Sequence, residues 1–409
     1  MKTRVVLAAS LIAGTFCLGA AVPGWAASRY LPFDVPPEKL AAAMECPGGF
    51  HHPEREAVLL VHGTSVTADE NWAWNYELAL PKVGFDVCTI EMPDYALSDM
   101  QVSAEYVVYG IRETALQSHR RIAVIGLSQG ADEPRWALKW WPDTRALVEQ
   151  YISMAGSNHG GAFGDGDCAY SCPPALWQQS TKSRFMAALN LPHETQPGVN
   201  YTSIYSLTDD IIEPSVTTPA GRAVAPIDGA TNITVQSVCP GRYVGHVQSA
   251  WDAAYYAVVL DALTHRGPGR LDRVDRSFCN QRAMPEVNEA DAWQRTAAVY
   301  ADAGIRQSEH YKPTSEPLSA DYVTKGTPPP GALIEDAARP APGSAHTQGQ
   351  ATAAAATVAA GGALPLTATA PAPATGWLAV IALILALGTS ARTIYTRTAS
   401  KRPHKTLNS

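Results

Sequence analysis

One short segment restricts the possible folds of this chain more than any other. The apolar run at residues 122–125 (IAVI) passes directly into Gly126-Leu127-Ser128-Gln129-Gly130, and a helical pattern follows. A serine between a strand and a helix must lie on a sharp, strained turn, where side chains two residues away on either side would collide with neighbouring elements. Glycine at 126 and 130 removes both collisions. The segment therefore predicts a nucleophile elbow around Ser128.

The surrounding pattern is that of a mostly parallel central sheet with helices on both faces. Residues 57–61 (AVLLV) and 122–125 are continuous apolar runs, as expected for parallel strands that are buried on both faces. Between them lies one apolar helical face, formed by Ala104, Val107, Val108, Ile111 and Ala115. Because short strand-like runs alternate with helical patterns, the fold class is predicted to be α/β.

Composition indicates the first three segments of the chain. Residues 1–27 contain basic residues, an apolar run and small residues around a cleavage point, which predicts a secretory signal peptide; an N-terminal membrane anchor is the alternative. A catalytic domain is expected over 28–311. Residues 312–363 are rich in Pro, Ala and Gly and predict a linker, because such a composition does not pack a core.

The last segment, 364–409, predicts attachment at the cell surface. It holds Leu-Pro-Leu-Thr-Ala at 364–368, an apolar run at 376–391 and a basic tail. This order resembles a cell-wall sorting signal, in which a sortase cuts after the threonine, here Thr367. The alternative is a transmembrane helix with a positive-inside tail, although a comfortable span needs about 20 residues. Both interpretations predict an extracellular protein anchored to the cell wall or membrane.

Charge and cysteine content narrow the partners and the compartment. A formal net charge of -7 offers no basic face to a phosphate backbone, so nucleic acid is not an expected partner. Removal of the signal peptide leaves an even number of cysteines in an exported chain, and disulfides are expected. Chain order favours Cys46 with Cys88, Cys168 with Cys172, and Cys239 with Cys279. No further cysteine or histidine pair has zinc-ligand spacing, so no metal site is expected.

A serine nucleophile needs a histidine base that is oriented by a carboxylate, in the chain order serine, acid, histidine. Residues 200–207 (NYTSIYSL) read as a strand that leads into Asp209 at its carboxyl end, where open α/β sheets place functional groups. The neighbouring Asp210 is the alternative acid.

The base is expected in the loop after the next strand. Residues 233–238 (ITVQSV) read as that strand, and His246 follows it, ahead of a helix over about 249–264. The alternatives are His159, which precedes the acid in the chain, and His265, which ends a helix. Only His246 satisfies both the chain order and the loop position.

Acyl transfer also requires backbone N–H groups that meet a developing oxyanion. One is expected from Gln129, the residue after the nucleophile, and one from the loop His62-Gly63-Thr64 that follows residues 57–61. Thr64 can add its hydroxyl. The alternative interpretation of His62-Gly63 is a simple turn.

Several stretches carry a family resemblance. They are Val61-His62-Gly63-Thr64, Gly84-Phe85-Asp86-Val87-Cys88, Ser128-Gln129-Gly130, Trp177-Gln178-Gln179-Ser180-Thr181, Tyr205-Ser206-Leu207-Thr208-Asp209, Val238-Cys239 and His246. Together they resemble the lipase B-like lipases and esterases of the α/β-hydrolases, over roughly residues 46–305. The resemblance implies Ser128 as nucleophile, Asp209 as acid, His246 as base, and Thr64 with Gln129 as the oxyanion hole. It also supports the pairings Cys46 with Cys88 and Cys239 with Cys279.

The motifs and the resemblance together imply a secreted or surface-anchored serine carboxylic-ester hydrolase. We expect it to act as a monomer on lipid or other acyl esters such as triacylglycerols, through an acyl-enzyme and with no metal or organic cofactor. Two alternatives remain open at this stage. One is an acyltransferase that acts on cell-envelope lipids or glycans, and the other is a non-catalytic surface binding protein on the same fold.

Overall fold

A seven-stranded sheet forms the centre of the molecule. The computed structural model describes residues 29–337, apart from 167, 169 and 215. The strand order is β1-β3-β2-β4-β5-β6-β7; β1 runs antiparallel to β3 and every other pair is parallel. The strands are β1 (Met44–Glu45), β2 (Ala57–Val61), β3 (Val87–Ile90), β4 (Ile122–Leu127), β5 (Val148–Met154), β6 (Asn200–Tyr205) and β7 (Thr231–Thr234).

Helices connect the strands and follow the last one. In the described part of the chain they are α1 (Pro37–Ala42), α2 (Ala68–Trp72), α3 (Tyr76–Lys82), α4 (Pro93–Ala96), α5 (Met100–Ser118), α6 (Asp132–Trp140), α7 (Thr144–Leu147), α8 (Ala162–Gly166), α9 (Pro174–Gln178), α10 (Arg184–Asn190), α11 (Val235–Val238), α12 (Ala253–Thr264), α13 (Glu289–Glu309), α14 (Asp321–Thr324) and α15 (Ile334–Ala337). Turns of 3-10 helix occur at Ser128–Ala131, Val247–Ala250 and Arg276–Asn280.

The two faces of the sheet are each covered by helices. Alternate residues of β2 point to opposite faces, so that Val58 and Leu60 pack with α3 and α12, whereas Leu59 and Val61 pack with α5 and α6. The predicted apolar face of α5 is buried. The fold class predicted from the sequence is therefore confirmed, and burial on both faces explains the uninterrupted apolar runs of the central strands.

Two predicted elements differ in their bounds. Residues 233–238 read as one strand, but β7 ends at Thr234 because the Thr234 hydroxyl accepts a hydrogen bond from Ser237 N at 3.1 Å and caps α11. The helix expected over 249–264 begins later. Asp252 caps α12 by accepting a bond from Ala254 N at 2.8 Å, and a 3-10 turn precedes it.

All three cysteine pairs favoured by chain order are disulfides. Cys46 is bonded to Cys88, Cys168 to Cys172, and Cys239 to Cys279. The first bond joins the residue after β1 to β3. Three disulfides are typical of a protein that folds in an oxidising compartment.

The folded domain extends beyond the boundary expected at residue 311. Tyr322 is buried among Trp136, Trp140 and Trp141, and its hydroxyl accepts a bond from Trp136 Nε1 at 2.9 Å. Leu333 forms an isolated antiparallel bridge with Tyr30. Residues 312–337 thus pack on the domain rather than act as a free linker. A few aromatic and backbone contacts hold this segment, although its sequence has no periodic apolar pattern.

Several predicted segments lie outside the described residues: the signal peptide at 1–27, the remainder of the linker, the pentapeptide at 364–368, the apolar run at 376–391 and the basic tail. Within the part of the chain that the structure does describe, no helix combines the length and apolar character needed to cross a membrane.

Candidate active site

Ser128 lies on a sharp turn between β4 and α6. Its φ of 56° is in the left-handed region, which costs energy for any residue with a Cβ. The 3-10 turn Ser128–Ala131 follows at once and leads into α6. This is the strand, turn and helix predicted for a nucleophile elbow, and the strained position holds the serine at the carboxyl end of the sheet.

The two glycines that flank the serine are required by space. A Cβ at Gly126 would lie 1.9 Å from the Gly130 carbonyl oxygen, and a Cβ at Gly130 would lie 2.3 Å from the His62 carbonyl oxygen. Both distances are far shorter than real Cβ contacts, and the obstructing atoms are backbone. The close approach of the elbow to the end of β2 therefore depends on glycine at both positions.

The three side chains predicted for the triad meet in one hydrogen-bonded chain. The Ser128 hydroxyl lies 2.9 Å from His246 Nε2, and His246 Nδ1 lies 3.0 and 3.1 Å from the two carboxylate oxygens of Asp209. All three are buried. Since ionised Asp209 can only accept, Nδ1 carries the ring proton and Nε2 is left free to accept from the serine.

Asp210, the alternative acid, has a different place. It accepts a hydrogen bond from the backbone N–H of His246 at 2.6 Å and one from the Tyr300 hydroxyl at 2.7 Å. Asp209 instead faces the imidazole, and two backbone N–H groups, from Ile211 at 2.9 Å and Ile212 at 2.7 Å, hold its Oδ1. Asp209 thus orients the ring, whereas Asp210 positions the loop that carries it.

The alternative histidines lie in other networks. His159 is buried, and its Nε2 is 2.9 Å from Glu194 Oε1. His265 follows the end of α12, and its Nδ1 donates to the Asp261 carbonyl oxygen at 3.0 Å. Of the three histidines, His246 is the one that bonds to Ser128.

The acid–base properties of His246 reflect two opposing influences. Burial alone would lower its pKa, but the negative charge of Asp209 and the hydrogen bond to it, together with the charge of Asp210, raise the pKa above the usual 6.5. A ring with a raised pKa is a stronger base. It is therefore better suited to take the Ser128 proton.

The loop after β2 lies directly beside the serine. A Cβ on Gly63 would be 3.1 Å from Ser128 Cβ, which places Thr64 next to the elbow. The Thr64 hydroxyl donates to Gln129 Oε1 at 2.6 Å, so the two residues predicted for the oxyanion hole contact each other. The structure thus brings all five predicted residues to one place.

His62 holds this loop in shape. The ring is fully buried; its Nδ1 donates to the Gly63 carbonyl oxygen at 2.8 Å, and its Nε2 accepts from Met92 N at 2.8 Å. Burial lowers the pKa of His62 to about 4, which keeps the ring neutral. These two hydrogen bonds fix the conformation of the turn, so His62-Gly63 has a structural role next to the site.

Sequence reasoning assigned no role to two residues that touch the site. Gln179 Nε2 donates to Gln129 Oε1 at 3.0 Å and to the Thr64 hydroxyl at 3.1 Å, and Glu133 accepts from Gln129 Nε2 at 2.7 Å. Gln179 lies in the Trp177–Thr181 stretch of the resemblance, which was the available signal. Glu133 carried none. Among the described residues, no group of His, Cys, Asp and Glu has the arrangement of a metal site.

Comparison with known proteins agrees with this geometry. Residues 117–240 match the family described as lipase (class 2). Over 277 residues the chain is 28% identical to lipase B of Pseudozyma antarctica, an alignment that covers 65% of this chain and 78% of that lipase. The crystal structure of Aspergillus fumigatus lipase B is similar with a TM-score of 0.65 and 28% identity, covering 71% of this chain and 72% of the other.

This chain is an α/β-hydrolase in fold. The alignments with the two lipases cover a larger share of the chain than the range matched by the family. In this fold the nucleophile, acid and base follow one another in the chain in that order. Ser128, Asp209 and His246 have that order here.

Proposed function

We propose that this α/β-hydrolase cleaves carboxylic esters, acyl esters of lipids such as triacylglycerols among them, through an acyl-enzyme on Ser128. One observation carries the proposal: Ser128, His246 and Asp209 form an unbroken hydrogen-bonded chain at a strained elbow. The similarity to lipases supports the same substrate class. Neither step of the reaction needs a metal or an organic cofactor.

The reaction follows from the roles of the three side chains. His246 Nε2 takes the hydroxyl proton as Ser128 Oγ attacks the ester carbonyl carbon, and Asp209 stabilises the imidazolium that forms. The backbone N–H groups of Thr64 and Gln129 donate to the oxyanion. His246 then protonates the leaving alcohol, and water activated by the same ring hydrolyses the acyl-enzyme to acid and free Ser128.

The direct test is a chain-length series of p-nitrophenyl esters and triacylglycerols, combined with a fluorophosphonate probe. We expect hydrolysis of at least part of the series and covalent labelling of Ser128, located by mass spectrometry of the peptide. Product analysis with a competing alcohol separates hydrolysis from acyl transfer. A folded protein that neither cleaves any ester nor reacts with the probe would contradict the proposal.

The pH dependence of turnover follows from His246. Because only the neutral ring can accept the Ser128 proton, kcat/KM should fall as the pH is lowered through the pKa of His246. Since that pKa is raised above 6.5, half of the activity should already be lost at a pH above this value. The measurement is the kcat/KM profile for an uncharged ester, and a midpoint at or below 6.5 would argue against Asp209 as the partner of the ring.

We also propose that the protein is exported and held at the cell surface by segment 364–409. The three disulfides support folding outside the cytoplasm. Mass spectrometry of the protein from its native cells should find an N-terminus near residue 27. The same measurement distinguishes cleavage after Thr367 from an intact C-terminal segment. Recovery of the uncleaved chain from the cytoplasm would contradict export.

A further inference from the structure

A buried carboxyl group lies one turn beyond the serine, outside the triad. Glu133 is in the first turn of α6, has no solvent exposure, and its Oε1 accepts a hydrogen bond from Gln129 Nε2 at 2.7 Å. Its Oε2 has no hydrogen-bond partner among the described residues. A buried polar oxygen without a partner destabilises the folded protein, because it has lost its hydrogen bonds to water. Glutamate at this position therefore lowers the free energy of unfolding.

The state of this carboxyl follows from its surroundings. Burial and the charge of the adjacent Asp132 raise the pKa of Glu133 well above its usual value. Both influences favour the neutral form of the carboxyl group. A neutral acid can lie close to a developing oxyanion without opposing it electrostatically.

The acceptor at Glu133 and two donors on the other side fix which way the Gln129 amide points. With Nε2 directed to Glu133, the Gln129 oxygen faces the Thr64 hydroxyl at 2.6 Å and Gln179 Nε2 at 3.0 Å, both of which donate to it. With the amide reversed, Nε2 of Gln129 would face Nε2 of Gln179, and two donors would meet. The acceptor at 133 therefore adds to the donors Thr64 and Gln179 in selecting one of two amide orientations and holds the Nε2 end of the side chain.

We propose that Glu133 is a positioning residue, which orients the Gln129 side chain so that it holds the loop at Thr64 in register with the elbow. This inference rests on the proposed function. The two residues joined in this way are those whose backbone N–H groups are to receive the oxyanion. Loosening the link should weaken binding of the transition state and leave binding of the ester ground state nearly unchanged.

The test compares Glu133→Leu, Glu133→Gln and a control, Glu56→Leu. Leucine removes the acceptor, whereas glutamine keeps an oxygen that can accept from Gln129. Glu56 also has a buried Oε2 without a partner and a pKa raised to about 7, chiefly by burial, but it directly precedes β2, at the opposite end of that strand from the Thr64 loop. It reports what removal of a partly buried acid with a buried oxygen does by itself.

We expect Glu133→Leu to lower kcat by about 10- to 100-fold, which is no more than the decrease caused by removal of an oxyanion donor. The KM should stay within about threefold of that of the parent. Glu133→Gln should recover most of that loss. Glu56→Leu should leave both constants close to those of the parent. Thermal unfolding shows whether each variant is folded, and Glu133→Met replaces the leucine variant if that one is not.

Two results would overturn the proposal: a folded leucine or methionine variant with the kcat of the parent, or a glutamine variant as slow as the leucine variant. A merely structural part for Glu133 predicts the first, because removal of a buried acid would not change kcat in a folded protein. In a Thr64→Val background the leucine substitution should cost less than in the parent, since the link is already broken.

A measurement that needs no ester tests the positioning role separately from the proposed function. In protein labelled with ¹⁵N-glutamine, the side-chain amide protons of Gln129, assigned by their loss in Gln129→Met, should exchange slowly in the parent and in Glu133→Gln. They should exchange faster in Glu133→Leu. Equal exchange in all three would refute the positioning role, whether or not the protein hydrolyses esters.

Discussion

Ser128→Ala is expected to lower kcat for ester hydrolysis by about 10⁶-fold, because the nucleophile, the base and the acid act as a unit. The substitution removes one oxygen and keeps the Cβ, so the left-handed backbone at this residue remains equally strained. Hydrolysis of p-nitrophenyl butyrate under saturating substrate measures the effect.

A serine elsewhere in the core provides the control. Ser103 is fully buried on α5, and its hydroxyl donates to the Asp99 carbonyl oxygen at 3.4 Å. Ser103→Ala should retain the turnover of the parent. If folded Ser128→Ala retained more than about one hundredth of the parent kcat, Ser128 would not be the nucleophile.

Asp209→Asn should be the second largest effect, a loss of about 10⁴-fold in kcat. An asparagine amide can donate to His246 Nδ1, which favours the tautomer with the proton on Nε2, and Nε2 then cannot accept from Ser128. The measurement is kcat at a pH above the pKa of His246, where protonation of the ring does not limit the parent.

Asp210→Asn is the matched comparison, since it makes the same chemical change at the adjacent residue. The asparagine oxygen can still accept from the His246 backbone N–H, and the amide can still contact Tyr300. We expect a loss of about tenfold or less, of the size of one altered hydrogen bond. A larger loss for Asp210→Asn than for Asp209→Asn would exchange the roles of the two carboxyl groups.

The position of Ser128, Asp209 and His246 could be predicted because each follows a recognisable strand: Ser128 directly after β4, Asp209 shortly after β6, and His246 in the loop beyond β7 and α11. The apolar runs define the strands, and parallel strands bring their carboxyl ends to one edge of a sheet, so Ser128, Asp209 and His246 had to lie near one another. The local sequence distinguished Asp209 from Asp210 only weakly as the acid of the triad. Which carboxylate faces the ring depends on the turn at Ile211 and Ile212, whose N–H groups hold Asp209.

The side chains around the oxyanion site could not be predicted in the same way. The contact of Glu133 with Gln129 spans one helical turn, but nothing in the sequence distinguishes it from an exposed pair at the same spacing. Burial decides the difference, and burial depends on the packing of α6 against the sheet. The contact of Gln179 with Gln129 joins residues 50 positions apart and has no local signal.

The segment after residue 311 shows another limit of local patterns. Its Pro and Gly content predicts a free linker, yet single residues fix it to the domain: Tyr322 fills a space among tryptophans, and the Pro330 carbonyl oxygen accepts from Trp141 Nε1 at 2.7 Å. Such contacts need no periodicity. The conformation of the segment is thus determined by the surface on which it packs.

The bridge between Tyr30 and Leu333 brings residues near the two ends of the described chain side by side. Leu31 N donates to the Ala332 carbonyl oxygen at 2.8 Å, and Ile334 N donates to the Arg29 carbonyl oxygen at 2.9 Å. A short peptide can therefore close the domain into a circle without distorting it. Opening that circle at an exposed loop would give a permuted enzyme with the same sheet, whose new ends could be chosen for immobilisation away from Ser128.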